Sequence, residues 1–374
     1  MSSTHIPQEV KLKLWVASGG RCEFMGCNDL VSQDVLTYQE DNFAHMAHII
    51  ADSPDGPRGD KDLSPDMAKD FDNLMLVCLK HSKLIDGKNR GSYSIEDLRQ
   101  HKKSHEDRIC RQTSLHPDNT TTVLRFIANI GDRAVTVPVS DALHAILPKF
   151  PADEHGIALD FTNRPGRGEA DFWTSFATEI DRQIERDLAD SNSRKRPTHI
   201  SVFALGPMPL LMKLGNAIGN TIATDLYQRH RDTESWEWKP ENDEPFEYTL
   251  REELATESND VVLVLSLSGK IHEEEVHKVF SEKPHFYEIS LDSPTPGFLS
   301  RKSRLEKFRV KYRELLSQIR GRHGKDVKIH LFPAVPAPIA VLCGRELLPK
   351  VDPSVTVYDH EKDQGGFVQI LTIN

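Results

Sequence analysis

The chain is poor in cysteine and aromatic side chains, and it has no long apolar run. Only five cysteines occur in 374 residues, and two of them, Cys110 and Cys343, stand alone. That usage excludes a disulfide framework and points to a reducing compartment. No apolar run approaches the roughly 20 residues that cross a bilayer. The opening Met-Ser-Ser-Thr-His-Ile-Pro has no charged region followed by an apolar one. A cytoplasmic protein with no membrane partner is therefore expected. Excess basic charge is also missing. The net charge is -10, so any contact with nucleic-acid phosphate has to be local. With 38% hydrophobic residues, the chain is long enough for about two domains, each with its own core.

The remaining three cysteines are concentrated near the start. Arg21-Cys22-Glu-Phe-Met-Gly-Cys27 supplies one pair of soft ligands and Cys78-Leu-Lys-His81 another. Together they make the Cys3His set that tetrahedral zinc favours in closed structural sites. His45-Met-Ala-His48 and Asn73 fall between the pairs, so closing the staple would gather a polar cluster beside it. Lys80, Lys83, Lys88 and Arg90 follow the second pair, with Lys102 and Lys103 farther on; these are the candidate local phosphate contacts.

Around these motifs the pattern predicts a helix from Pro7 to Ser18, stopped by Gly19-Gly20. Val35 to Ile50 has β-forming character, and Asp52 to Asp62 reads as a loop. A helix is expected over Leu79 to Asp86. Another should start at the capping box Ser94-Ile-Glu-Asp97 and run to about Cys110, anchored by Leu98 and Ile109. The expected division is a first domain over 1–115, a linker over 116–122 and a second domain over 123–374. In the second domain, strand-like runs begin near Val123, Ile157, Ile200, Val261, Phe286 and Ile329. Helical candidates fall between many of them: Asp171 to Leu188, Leu210 to Tyr227, Ile271 to Phe280 and Leu299 to Ile319. The fold class is α/β with a largely parallel sheet.

The second domain also repeats itself. Ile200-Ser-Val-Phe203, Pro207-Met-Pro209 and Gly215 match Ile329-His-Leu-Phe332, Pro336-Ala-Pro338 and Gly344 at one constant offset, and Tyr227 matches Tyr358 with a small slip. Two related strand-turn-helix halves follow. They should place two strand ends and two helix N-termini near a pseudo-twofold axis, a setting that suits a small anionic ligand of approximately twofold character. Candidate contacts are Pro207, Met208, Pro336 and Ala337 at the turns, then Ser266, Ser268, Gly269 and Lys270 after an apolar strand. Arg301 and Lys302 at a basic helix start complete the set. Trp236 and Trp238 read as the buried face of one strand rather than as base-stacking residues.

The Cys-x4-Cys, Ala-His-Met-Ala-His-Ile, Asp-Asn-Leu and Cys-x2-His-x4-Asp segments resemble the HNH endonuclease family over the first domain. The resemblance implies a ββα-metal fold with structural zinc on Cys22, Cys27, Cys78 and His81. His48 would be the general base and Asn73 a catalytic, site-orienting residue. His45 and Ser82 would sit at the catalytic-ion positions, for magnesium or another divalent ion. Many members carry an acidic residue where this chain has Ala47, a departure that His45 just upstream would cover, and a histidine where it has Ser82, which implies an ion that is weaker or relies on water. The repeated strand, Phe, Pro-x-Pro, helix and Gly resembles the SAVED domain, two fused Rossmann-like, CARF-like halves that sense cyclic oligonucleotides. The whole chain is similar to the HNH-SAVED effector nucleases of bacterial CBASS antiphage systems. That similarity implies a double-stranded DNA substrate and a cyclic di- or trinucleotide activator made by a cGAS-like nucleotidyltransferase. It also implies a homodimer driven to higher assembly by ligand. Two other readings stay open: a catalytically degenerate sensor that holds DNA, and a restriction-type nuclease that reads modified DNA.

Overall fold

The computed structural model describes residues 4–87, 90–114, 119–130, 135–162, 172–189, 196–242, 244–256, 258–361 and 364–373. The chain divides into two compact units, Met1–His116 and Pro117–Asn374.

In the first unit, helix α1 (Gln8–Ser18) begins after Pro7 and ends at Gly19, whose φ of 63° lets its N–H reach back to Trp15 and Val16. A two-stranded antiparallel ribbon of β1 (Ala44–His48) and β2 (Leu74–Cys78) pairs His48 with Leu74 and Ala44 with Cys78. Between the strands lie α2 (Leu63–Met67) and a 3-10 turn, Phe71–Asn73. Next come α3 (Leu79–Asp86), a short turn Arg90–Ser92, and α4 (Ile95–Thr113), which opens on a reciprocal capping box between Ser94 and Asp97. Leu14, Val31, Ile49, Leu74, Leu76, Ile85 and Leu98 form the core. The β-rich stretch expected from Val35 to Ile50 shrinks to five residues. Asp34 Oδ1 accepts from the N–H groups of Leu36 and Thr37, an Asx turn that bends this segment out of any strand.

The second unit carries two sheets. The expected linker over 116–122 does not hold as drawn. Residues 115–118 lie outside the described residues, and Thr120 already opens β3 (Thr120–Ile127). There follow α5 (Val139–Ala145), β4 (Phe150–Pro151), β5 (Ile157–Asp160), α6 (Phe172–Leu188), β6 (His199–Leu205), α7 (Met208–Ile218) and β7 (Ala223–Tyr227). These strands form a parallel sheet in the order β4-β3-β6-β7, with β5 also on β3. The second half adds β8 (Thr249–Glu253), β9 (Asp260–Ser266), α8 (Glu273–His277), β10 (His285–Ser290), α9 (Lys302–His323), β11 (Lys328–Ala334), α10 (Ala337–Arg345), β12 (Val355–Glu361) and β13 (Gly366–Ile373). Its sheet runs β13-β12-β11-β9-β10-β8, parallel in the centre and antiparallel at both edges. The helix expected from Leu210 to Tyr227 stops at Ile218. Gly219 takes φ 66°, and the Thr221-Ile-Ala-Thr224 run behind it prefers the pleated β7.

The repeat is a physical pseudo-twofold. A Cβ added to Gly215 of α7 would meet Val341 O at 1.8 Å and Arg345 N at 2.9 Å; one added to Gly344 of α10 would meet Met212 O at 1.8 Å and Asn216 N at 2.9 Å. Met212 and Val341, like Asn216 and Arg345, stand at the repeat's own offset of 129 positions. The two helices therefore cross backbone to backbone at equivalent glycines. On the outer face of each sheet an aromatic pair repeats as well. Phe203 stacks on Tyr227 at 4.4 Å, and Phe332 stacks on Tyr358 at 4.5 Å.

Asp225 on β7 ties the first sheet to its surroundings through Lys149 at 2.8 Å, Lys302 at 2.7 Å and His199 at 3.4 Å. Burial pushes its carboxyl up, but the hydrogen bonds from His199, Lys149 and Lys302 outweigh this and hold it far below the usual range. A depressed pKa contributes stability above the unfolded value, near pH 4, that is lost as acid titrates the folded carboxylate. Asp225→Asn should therefore lower the stability of this unit by about 3 kcal/mol at pH 7. The deficit should shrink below about pH 4. Urea melts at the two pH values check it.

Candidate functional site

The knuckle residues are brought together by backbone pairing. Glu23 N–H donates to Leu76 O at 2.9 Å, and Leu76 N–H donates to Glu23 Oε2 at 2.6 Å. This pins the Cys22 segment beside β2, whose last residue is Cys78. Cys27 N–H closes the turn onto Phe24 O at 2.8 Å, and the first turn of α3 delivers His81. The ligand atoms of Cys22, Cys27, Cys78 and His81 lie within 4.8 Å of one another. His81 Nδ1 is 3.5 Å from Cys22 Sγ and 3.2 Å from Cys78 Sγ, close to the roughly 3.5 Å edge of a zinc tetrahedron with bonds near 2.0 and 2.3 Å. Phe24 stacks on the His81 ring at 4.4 Å. Burial raises the Cys22 and Cys27 thiols and lowers His81. A divalent cation would reverse the thiol shifts, because the thiolate is the ligand form. The donor set fits structural zinc.

His48 is buried at the end of β1, with Nε2 2.9 Å from Ala68 O. A carbonyl can only accept, so Nε2 carries the proton and the ring's lone pair sits on Nδ1. Asn73 is 1% exposed. Its Oδ1 accepts from Ile50 N–H at 2.8 Å, and its Nδ2 donates to Ile50 O at 2.8 Å and Met67 O at 3.1 Å. Its amide is thus taken up by backbone. Asn73 thereby positions the segment just after His48. Sequence reasoning missed Arg58, which donates to Ile49 O at 2.7 Å, His48 O at 3.3 Å, Ile85 O at 3.1 Å and the Asp86 carboxylate at 2.9 Å. It fastens the end of β1 to the end of α3.

The expected catalytic-ion pair does not assemble. His45 is exposed and lies three residues from His48 on one strand, and strand side chains alternate, so the two imidazoles leave opposite faces. Ser82 on α3 offers a hydroxyl alone. Among the described residues the Cys3His set is the one group of three or more His, Cys, Asp or Glu side chains placed to hold a metal. The described residues therefore do not supply a three-ligand set for a second ion. Of the expected phosphate contacts, Lys80 and Lys83 are exposed on α3, Arg90 opens the short turn, and Lys88 lies outside the described residues. Lys102 is corrected: it is buried, paired with Glu106 at 2.5 Å and seated over the Phe71 ring at 3.9 Å.

In the second unit a cavity of about 360 Å³ opens at the C-terminal ends of the parallel strands of both sheets. Pro207 and Met208 line it at the start of α7, and Pro336 and Ala337 line it at the start of α10. Both helix starts thus turn their unpaired N–H groups and positive dipole ends toward one space. Ser268 joins them. Gln228, Arg229, Arg231 and Asp359 do too, although sequence reasoning did not name them. Gln228 and Asp359 each follow the repeat tyrosine, and that position was the available signal.

A family model of the "SMODS-associated and fused to various effectors sensor domain", SAVED, matches residues 180–373, more than half of the chain. The chain belongs to the SAVED family. Two solved structures of an Acinetobacter baumannii Cap4 SAVED/CARF-domain containing receptor are similar to it. The one with the cyclic trinucleotide 3'3'3'-cAAA shares 11% identity at TM-score 0.48, covering 79% of this chain and 66% of that one. The other, with 2'3'3'-cAAA, shares 13% identity at TM-score 0.43, covering 79% and 62%. A Moraxella osloensis Cap4 receptor shares 12% at TM-score 0.38, covering 82% and 66%. The chain thus spans just under two thirds of the length of these receptors. No curated protein matches the chain. No described helix is long and apolar enough to cross a membrane.

Within the SAVED domain several expected contacts are corrected. Ser266 is buried, with its hydroxyl on Glu288 at 2.6 Å. Arg301 is turned to Pro240 O at 2.9 Å and Lys302 is held by Asp225. Gly269 and Lys270 do not line the cavity. Trp236 is buried against Phe203, but outside any strand.

Proposed function

We propose that the chain is a CBASS-type effector in which a cyclic oligonucleotide, bound in the SAVED cavity, licenses cleavage of double-stranded DNA by the zinc-stapled head. The observation that carries the sensing half is the cavity itself. Two pseudo-equivalent helix N-termini, with Arg229 and Arg231 beside them, converge on one space at the strand ends. That is the charge distribution a small ring of two or three phosphates requires.

The chemical half rests on the HNH-like motif and on His48. With Nε2 held by Ala68 O, Nδ1 can take a proton from water while the water oxygen bonds to phosphorus, one P–O ester bond breaks, and the leaving oxygen is protonated from solvent. Zinc on Cys22, Cys27, Cys78 and His81 supplies structure by closing the fold around this histidine. No step is assigned to a second ion. The missing ligand set favours a second reading, a head that holds DNA without cutting it.

The sensing half is tested by calorimetric titration of the full chain with cyclic di-AMP, cyclic di-GMP, cyclic GMP–AMP and cyclic tri-AMP. One of these rings should bind at roughly micromolar affinity or tighter. Ala337→Trp, which fills the cavity wall, should abolish the heat without shifting the thermal melt. Failure of the wild type to bind any ring would overturn the sensing half. Binding that persists undiminished in Ala337→Trp would move the site elsewhere.

A further inference from the structure

Arg229 belongs to two places at once. It lines the cavity at the twin helix starts, yet its guanidinium is turned away to Asp141 on α5, Nη1 to Oδ2 at 3.7 Å, and to Glu234 O. Asp141 and Glu234 line a separate pocket that also holds Ser140, His144, Trp236 and Glu237. Arg231, the cavity's other arginine, is exposed, and no ion pair joins it to any described carboxylate. The cavity wall just before Arg229 is also incompletely satisfied. Gln228 donates Nε2 to Arg229 O at 2.7 Å, while its Oε1 is buried with no partner among the described residues.

We infer that Arg229 is a latched phosphate sensor: Asp141 holds it away from the cavity, and a phosphate of the ring displaces Asp141 to claim it. This rests on the reading of the cavity as a cyclic-oligonucleotide site. Relative strengths decide the direction. The partner carboxylate is 40% exposed and the pair is 3.7 Å apart, a geometry in which ion pairs contribute little. A guanidinium fork on a phosphate makes short charge-assisted hydrogen bonds that are substantially stronger. The exchange moves Arg229 off α5, so occupancy of the cavity is converted into the loss of one contact on a helix that does not line it.

The test is a double-mutant cycle on the full chain, titrated by calorimetry with the four rings named above. Arg229→Ala should weaken binding by about tenfold or more, the loss expected for a charge-assisted hydrogen bond. Asp141→Asn, which keeps the side-chain shape and removes the charge, should tighten binding by about threefold by unlatching Arg229. In the Arg229→Ala background Asp141→Asn should change nothing. A thermal melt of each variant reports folding independently. If the wild type binds a ring but Asp141→Asn binds it no more tightly, or tightens it equally without Arg229, the latch is refuted and the sensing assignment stands. If the wild type binds none of the four, both fall together.

Discussion

Gly344→Ala should lower the stability of the SAVED unit by about 3 kcal/mol or more and abolish ring binding. In an ordinary helix the same change would stabilise by about 1 kcal/mol, because alanine has the better helix propensity. Here the new methyl would sit 1.8 Å from Met212 O and 2.7 Å from its carbonyl carbon. These are backbone atoms that no rotamer change can move aside. The α7–α10 crossing must open instead, and it carries the N-termini that line the cavity. Gly215→Ala should do the same by pseudo-symmetry, since its methyl would meet Val341 O at 1.8 Å. For a unit of this size 3 kcal/mol corresponds to a melting shift of roughly 6–12 °C, read by differential scanning calorimetry. A neutral or stabilising result at both positions would show that the helices do not cross as closely as described.

Cys78→Ser is expected to unfold the first unit. Structural zinc in small domains contributes about 10–16 kcal/mol of apparent binding free energy, as much as the whole net stability of a typical domain, about 5–15 kcal/mol. Cys78 matters twice, as a member of the Cys3His cluster and as the residue where β2 ends and α3 begins. Zinc content by elemental analysis should fall from about one per chain to near zero. Limited proteolysis should then digest the first unit and leave the second. Cys110→Ser, at an exposed cysteine outside the cluster, controls for the loss of a thiol. Retention of zinc and of protease resistance in Cys78→Ser would refute the staple.

Legibility followed the range of the interactions. The Cys-x4-Cys and Cys-x2-His spacings, the Ser94 capping box and the Gly19 stop are local, and the structure places those residues in correspondingly local geometry. The repeat was legible because glycines at a constant offset reflect one crossing seen from both sides. His45 misled because closeness in sequence to His48 suggests closeness in space, whereas three residues along a strand place the two side chains on opposite faces. Lys102 looked like surface charge, yet Glu106 and the Phe71 ring hold it inside. Arg58, Lys302 and Arg229 are decided by partners distant in sequence, at Asp86, Asp225 and Asp141. No spacing rule reaches that far.

The most direct measurement is the cutting of supercoiled plasmid DNA in magnesium buffer by the full chain, with and without the ring that binds it, beside His48→Ala. Wild type should cut only when the ring is present. His48→Ala should bind the ring with unchanged affinity and leave the plasmid intact. Cutting that ignores the ring, or that survives in His48→Ala at the wild-type rate, would contradict a messenger-licensed head whose base is His48.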